Sequence, residues 1–203
     1  MFEPLSLGAL KLSHRVVMAP LTRLRASQDG FVPGSTAAEY YSQRASKGGL
    51  VITEAVAISP ETPNEWAPGI YTPEQEAAWK KIADAVHAKG GYLCMQLWHV
   101  GRVAPESWGQ HPLLKSLGRP LPTVSASAVP IPAKMQVVEY GTFKRVAPSV
   151  PRALGAEEFR TRVVDDYRKA AQAAKRAGID AVEIHAAHGV SLIQSYLRCI
   201  ISN

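Results

Sequence analysis

Residues 180–189 read Asp-Ala-Val-Glu-Ile-His-Ala-Ala-His-Gly, a short apolar stretch that ends in two histidines three residues apart. In α/β proteins, chemistry is carried by side chains at the C-terminal ends of buried strands. The stretch therefore predicts one strand of a parallel sheet, with His185 and His188 at its functional end. Only residues 190–203 follow it.

Upstream of this stretch, short apolar runs alternate with amphipathic segments, which is typical of a parallel sheet covered by helices. The predicted strands are Arg15–Ala19, Leu50–Glu54, Tyr92–Trp98 and Ile179–Ile184. Three helices are predicted, and each is followed by glycine: Ser35–Lys47 before Gly48-Gly49, a helix from the N-cap Thr72 to Gly90-Gly91, and Ala156–Ala177 before Gly178. In the second helix, the predicted buried residues are Ala77, Ile82, Ala85 and Val86. Four βα-type units are expected within a single domain, residues 1–203.

A long segment without helical periodicity, about residues 100–154, separates the third predicted strand from the last predicted helix. It holds eight of the fifteen prolines. Such a length is unusual for a βα loop, so we expect an ordered excursion over a binding face. Within it, residues 123–126 and 136–140 are expected to pair as a small hairpin.

The composition excludes several classes of function. The formal charge is +6, but no run of basic residues exceeds the pair Lys80-Lys81, so no nucleic-acid or membrane partner is expected. Cys94 and Cys199 form no CxxC pattern, which indicates neither a disulfide framework nor a zinc site and favours a reduced, cytoplasmic location. No leader and no membrane-spanning run is expected.

Alternation along the strands predicts which side chains face the functional side of the sheet. On the third strand, Gln96 and Trp98 share one face with Tyr92 and Cys94, and the leucines face the helices. On the fourth strand, Glu183 and His185 share a face, and Val182 and Ile184 turn to the helices. A buried amide and a buried imidazole at one end of adjacent strands need partners.

Three interpretations of the histidine pair remain open. His185 and His188 could bind a metal, although no third ligand is indicated. They could be satisfied by backbone groups of the turn. They could also donate hydrogen bonds to a carbonyl oxygen or another partial anion of an organic ligand.

Other strand ends add to the same predicted pocket. Pro20 directs the chain at the exit of the first strand and Thr22 places a hydroxyl there, whereas the small Ala55 lets a ligand approach the second strand. The chain lacks GxGxxG and GxxxxGK motifs, which argues against Rossmann and P-loop folds.

Five separated motifs occur in one order along the chain. They are RVVMAPLTR at 15–23, LVITEAVAISP at 50–60, PGIY at 68–71, QLWHVGR at 96–102 and EIHAAHG at 183–189. In these motifs the chain resembles the N-terminal half of the old yellow enzymes, the FMN-dependent ene-reductases that include plant oxophytodienoate reductases. The resemblance extends from Leu5 to about Gln194.

The resemblance implies the first half of a (β/α)8 barrel that reduces activated C=C bonds of α,β-unsaturated carbonyl compounds. The cofactors implied are FMN and NAD(P)H. The flavin contacts implied are Pro20, Leu21, Thr22, Ala55 and Gln96. Thr22, Trp98, His185 and His188 are implied to bind a small-molecule enone, with the two histidines holding its carbonyl oxygen as the catalytic pair, and no metal is implied.

Two departures from the family pattern bear on function. Val190 stands where the family has a proton-donating tyrosine, and valine has no proton to give. Four predicted βα units are half of a barrel, so we expect a truncated, impaired enzyme whose open edges allow self-association. The alternatives are a non-catalytic half-barrel that pairs with itself or with a complementary half, and a metal-dependent hydrolase using His185 and His188.

Overall fold

The computed structural model describes residues 1–61, 66–115, 122–132, 136–138, 142 and 144–187. Its strands are β1 (Leu5–Leu7), β2 (Leu10–Leu12), β3 (Val17–Met18), β4 (Leu50–Ala57), β5 (Tyr92–Trp98), β6 (Val124–Ser125), β7 (Val137–Val138), β8 (Arg145–Val146), β9 (Arg152–Ala153) and β10 (Ala181–Ile184). Its α-helices are α1 (Ala37–Ser42), α2 (Pro73–His87), α3 (Pro112–Lys115), α4 (Ala156–Phe159) and α5 (Asp165–Arg176). A π-helical turn, Arg160–Val164, joins α4 to α5, and short 3-10 turns follow β5.

The main sheet is parallel and has the order β10-β5-β4-β3. Its register pairs Leu50 of β4 with Tyr92 of β5, and Glu183 of β10 with Gln96 of β5. Since paired residues of parallel strands face the same side, the predicted division of faces is confirmed. The four predicted strands therefore lie side by side in one sheet, with β3 and β10 at the edges of the part that the structure describes.

Helices cover the outer face of this sheet. Leu93, Met95 and Leu97 of β5 are almost completely buried in one core cluster with Trp79 of α2 and Ala174 of α5. Burial of such apolar surface is the main stabilising contribution to a helix-on-sheet layer. On β10, by contrast, Val182 and Ile184 lie on the same outer face but are 44% and 50% exposed.

An N-terminal hairpin of β1 and β2 closes the other face at its N-terminal end, a feature that the sequence analysis did not predict. Leu10 and Leu12 of the hairpin pack against Leu50 and Cys94 in a second, smaller cluster. Gly8 occupies the turn with φ +57°, the left-handed region that favours glycine. The inner face is thus filled at its N-terminal end, which leaves its C-terminal end as the place for a ligand.

Helix α2 follows the sequence signals at its start. Thr72 Oγ1 accepts a hydrogen bond from the backbone N of Gln75, and Gln75 Oε1 accepts one from the backbone N of Thr72, which forms a capping box. The predicted buried stripe is only partly right. Ile82 and Val86 are buried, but Ala77 is exposed, since Gln75, Trp79 and Ala83 form the rest of the stripe.

Several predicted boundaries are wrong. The helix expected at 35–47 is the six-residue α1, because the backbone N–H groups of Arg44 and Ala45 donate to carbonyl oxygens three residues back, which replaces the α-helical pattern after Ser42 by turns. The strand expected at 15–19 pairs only over Val17–Met18, while β4 continues to Ala57. The helix expected at 156–177 is interrupted by the π-helical turn and ends at Arg176.

The hairpin expected between residues 123–126 and 136–140 does not form. β6 pairs in parallel with β9, and β7 pairs with β8. Val124 and Leu154 are both buried in the main core cluster, so burial of these side chains selects β9 as the partner of β6. Residues 139 and 140 of the expected hairpin lie outside the described residues.

Candidate functional site

The C-terminal ends of β4, β5 and β10 bring together four of the predicted site residues. Ala55 is in register with Gln96, and Gln96 with Glu183 on the other side. Gln96 is 7% exposed, and its Nε2 donates a hydrogen bond of 2.5 Å to Glu183 Oε1. The carboxylate thereby fixes the orientation of the Gln96 amide.

A β-bulge in β4 holds this part of the site. The register between β4 and β5 shifts between Ile52 and Ala55, so Thr53 and Glu54 together stand opposite one residue. Thr53 Oγ1 accepts a hydrogen bond from the Gln96 backbone N at 3.1 Å and donates one to Glu54 O at 2.8 Å. The sequence analysis ended this strand at Glu54 and therefore missed the bulge. The feature of the sequence that indicates the bulge is the pair of consecutive polar residues, Thr53 and Glu54, within an apolar run.

Trp98 and His185 are neighbours at the same edge. Their ring centroids lie 6.2 Å apart with the rings tilted by 39°. The backbone N of His185 donates to Leu97 O at 3.0 Å, which continues the pairing of β10 with β5 past Ile184. Trp98 Nε1 is buried and finds no hydrogen-bond acceptor in the described part of the chain, so a donor is left over at this edge.

The segment after β3 forms the opposite wall. Pro20 is half-buried, whereas Leu21 and Thr22 are exposed. Glu54 Oε2 accepts hydrogen bonds from the backbone N of Arg23 at 2.8 Å and of Leu24 at 3.1 Å. This carboxylate ties the segment that carries Pro20, Leu21 and Thr22 to β4, a role that the sequence did not reveal.

Burial shapes the electrostatics around Glu54. Glu54 is 6% exposed, and loss of water around its carboxyl raises the pKa of this group. The hydrogen bonds from the backbone of Arg23 and Leu24 lower the pKa, but their effect is smaller than that of burial. Its backbone N donates to Tyr41 Oη at 3.0 Å, and burial raises the pKa of that phenol above its usual range. Tyr41 is therefore a neutral hydroxyl at neutral pH.

A third buried titratable group follows the end of β5. His99 is 3% exposed, and burial lowers its pKa to about 3, with the positive charge of Arg162 as a further cause. Its Nδ1 accepts a hydrogen bond from the backbone N of Gly101 at 3.0 Å. His99 is therefore a neutral structural histidine and not an acid or a base of the predicted site.

The two largest cavities that we describe lie elsewhere. One of about 290 Å³ lies between α1 and the segment after β3, and one of about 380 Å³ lies between the start of α2 and α5. Glu54 lines the first, but neither is lined by Gln96, Trp98 or His185. In the described residues, the predicted site is thus an open edge of the sheet.

Some predicted features cannot be placed. His188 and Val190 lie outside the described residues, as does Cys199. Among the described residues, no group of three or more histidine, cysteine, aspartate or glutamate side chains is arranged to hold a metal. Nor do these residues include a helix with the length and apolar character that a membrane crossing requires.

Comparison with known proteins tests the family assignment. All of residues 1–203 match the sequence model of the NADH:flavin oxidoreductase / NADH oxidase family. 12-oxophytodienoate reductase 7 of Oryza sativa subsp. japonica is 42% identical over 98% of this chain and 47% of its own length. The chain thus spans about half the length of the curated relatives that it matches.

Solved structures agree in fold. The old yellow enzyme homologue from Zymomonas mobilis superposes with a TM-score of 0.80 at 41% identity, over 94% of this chain and 49% of its own. Morphinone reductase gives a TM-score of 0.80 at 45% identity, over 95% and 49%. These neighbours are (β/α)8 barrels, and this chain covers about half of each, which confirms the predicted partial barrel. The family match likewise confirms the prediction of an enzyme family that uses FMN and NAD(P)H. The chain belongs to the NADH:flavin oxidoreductase / NADH oxidase family.

Proposed function

We propose that this chain carries the flavin-facing and substrate-facing residues of an FMN-dependent ene-reductase, which reduces the activated C=C bond of an α,β-unsaturated carbonyl compound with NAD(P)H. The observation that carries the proposal is the common edge shared by Ala55, Gln96, Trp98 and His185 at the C-terminal ends of three adjacent parallel strands. In barrels this is the face where active sites form.

The residues present fit a flavin. The buried Trp98 Nε1 has no acceptor among the described residues, and the Gln96 amide presents donor and acceptor groups at the same edge. Ala55 adds only a methyl group, so a flat ring could approach the β4 backbone closely. When bound, FMN supplies the hydride-transfer chemistry.

The chain's own residues would bind and orient. Gln96 would pair with the polar edge of the flavin, held in place by Glu183 and by Thr53, and Pro20, Leu21 and Thr22 would approach it from the β3 side. His185 would donate a hydrogen bond to the substrate's carbonyl oxygen, which polarises the conjugated alkene. We propose the same role for His188. Val190 cannot donate the proton that completes the reduction, so water or another group has to supply it.

Titration of the protein with FMN, followed by visible absorbance, tests this proposal. We expect saturable binding that Gln96→Leu weakens by roughly three- to tenfold, since about one net hydrogen bond is lost. Gln172→Leu, on the exposed side of α5, is the matched control and should bind like the wild type. NADPH oxidation that depends on an added enone should be present but slow. Absence of FMN binding by the wild-type chain would refute the activity while leaving the family assignment intact.

A second candidate function is that of a non-catalytic half-barrel that pairs with a second copy or with a complementary half. The observation that favours it is the exposure of Val182 and Ile184 on the outer face of edge strand β10, together with Val17, 39% exposed, on edge strand β3. Exposed apolar edges are templates for pairing. In either case we propose that residues 1–203 form one domain that functions in the cytoplasm.

Size-exclusion chromatography with light scattering distinguishes the two candidates. Pairing through β10 predicts a dimer that Ile184→Lys converts to monomer. Val129→Lys is the control, because Val129 is 57% exposed in the segment after β5 and outside the main sheet. A folded wild-type monomer at micromolar concentration would exclude pairing with a second copy.

A further inference from the structure

Glu54 is a buried carboxylate that the proposed reaction does not use. It follows Thr53 within an apolar stretch of β4, is 6% exposed, and accepts hydrogen bonds from the backbone N–H groups of Arg23 and Leu24 on one oxygen. Burial of a carboxylate is unfavourable unless specific donors compensate for the lost water. Both of these donors come from the segment that follows the predicted flavin contacts Pro20, Leu21 and Thr22.

The β-bulge fixes Glu54 on its own strand. The backbone N of Glu54 donates to Tyr41 Oη at 3.0 Å, and its carbonyl oxygen accepts from Thr53 Oγ1 at 2.8 Å. The same Thr53 oxygen accepts from the backbone N of Gln96 at 3.1 Å. One cluster of hydrogen bonds therefore connects the wall formed by β5 with the carboxylate that holds the opposite wall.

Besides these hydrogen bonds, the segment contacts α1, since the Arg23 guanidinium lies 5.1 Å from the centroid of the Tyr40 ring. Leu21, Thr22, Arg23 and Leu24 are all exposed. Leu24 has φ +53°, in the left-handed region that a residue with a Cβ rarely adopts. Such a conformation persists only where its surroundings impose it, and Glu54 supplies the acceptor for its N–H.

We propose that Glu54 is a positioning residue of the flavin site, whose carboxylate holds the backbone of Arg23 and Leu24 and so fixes Thr22 at the C-terminal edge of the sheet. The inference rests on the proposed function for the identity of the ligand. Glu54 acts through the peptide backbone of the segment. Loss of the carboxylate should therefore loosen the Thr22 wall first and weaken flavin binding as a consequence.

Hydrogen exchange of the Arg23 and Leu24 backbone amides, measured on the unliganded chain, tests the positioning step directly. Glu54→Ala removes both acceptor contacts, and we expect exchange to accelerate roughly tenfold or more, since each hydrogen bond to a charged group is lost. Glu54→Gln keeps an acceptor oxygen of similar shape but loses the charge, so a smaller, several-fold acceleration is expected. Glu39→Gln, an exposed change that borders the same cavity, is the control and should leave exchange unchanged.

FMN titration of the same variants adds a readout that a purely structural role would leave unchanged. In Glu54→Ala we expect the FMN dissociation constant to rise several-fold and the visible spectrum of the bound flavin to shift, while far-UV circular dichroism stays that of the wild type. If Glu54→Ala does not fold, Glu54→Gln carries both measurements.

Each outcome decides a different statement. Unchanged exchange of the two amides in a folded variant overturns the positioning role, whatever FMN does. Faster exchange with unchanged FMN affinity and spectrum makes Glu54 a structural residue only, which also overturns the proposal. If the wild-type chain binds no FMN, the proposed function and the flavin part of this inference fail together, and amide exchange alone then decides whether Glu54 holds the segment.

Discussion

Replacement of Gln75 by alanine should destabilise the protein strongly although the residue belongs to no predicted site. The side chain is fully buried at the start of α2. Its Oε1 accepts the backbone N–H groups of Tyr71 at 2.7 Å and Thr72 at 3.1 Å, and its Nε2 donates to Gly30 O at 2.8 Å. It therefore joins the capping box of α2 to the loop that follows β3.

The magnitude follows from these three contacts. Each neutral hydrogen bond contributes about 1 kcal/mol net, and a partner left buried and unsatisfied costs more than that. Gln75→Ala also leaves space beside Gly69, where a Cβ would approach the Gln75 amide to 2.7 Å. Because Tyr71 and Thr72 are only half-buried, water could satisfy part of the loss. We expect a fall of about 2–4 kcal/mol in the free energy of unfolding.

Urea unfolding, followed by circular dichroism and by tryptophan fluorescence, measures the effect, with coincident transitions required for a two-state analysis. Gln172→Ala, exposed on α5, is the control and should change stability by less than about 0.5 kcal/mol. A loss below about 1 kcal/mol for Gln75→Ala would show that the three contacts do not join the two segments and would refute the reasoning.

Three further predictions concern titration and charge. Burial lowers the pKa of His99 to about 3 in the folded state, below its usual value near 6.5, so its contribution to stability is complete above pH 6.5 and is lost as the pH falls towards 3. His99→Gln should therefore flatten the pH dependence of the free energy of unfolding in this window by up to about 1.4 kcal/mol per pH unit. A parallel pH dependence in wild type and variant would contradict this. Burial raises the pKa of the Glu54 carboxyl, so its contribution to stability is most favourable below the usual value of 4.5 and declines as the pH rises through the folded-state pKa. Thermal unfolding should therefore show that Glu54→Gln gains stability relative to the wild type as the pH rises above 4.5, and an opposite trend would refute the assignment. Arg162 donates hydrogen bonds through Nε and Nη2 to Oε2 of Glu61, a side chain that is only 8% exposed. Arg162→Ala should therefore lower the free energy of unfolding in urea by about 2 kcal/mol, and no measurable loss would mean that solvent replaces the ion pair.

The sequence predicted the parts of the fold that depend on local chemistry. Thr72 followed by proline gave the start of α2, and the alternation over Tyr92–Trp98 gave the bounds of β5 and its two faces. Parts that depend on contacts between distant segments were missed. The hairpin of β1 and β2 shows little local signal, since its two buried leucines, Leu10 and Leu12, pack against residues of distant strands such as Leu50 and Cys94.

The site was predictable to a similar extent. Gln96 and His185 were found because polar side chains at the ends of apolar strands are exceptional. Alternation placed Glu183 on the same face as His185, and the structure shows that Glu183 also accepts a hydrogen bond from Gln96. Glu54 was missed as a support because its partners are backbone N–H groups of another segment, which no side-chain pattern reveals.

The bulge in β4 shows how one residue links fold and function in this chain. Simple alternation from Leu50 through Ile52 assigns Glu54 to the inner face and turns Ala55 towards the helices. The extra residue reverses this assignment, because Ala55 takes the register position of Gln96 on the inner face. In this arrangement, Ala55 faces the predicted ligand while the carboxylate of Glu54 reaches the backbone of Arg23 and Leu24. We therefore infer that the polar pair Thr53-Glu54 sets the geometry of the proposed site, which gives a reason for two polar residues in an apolar run.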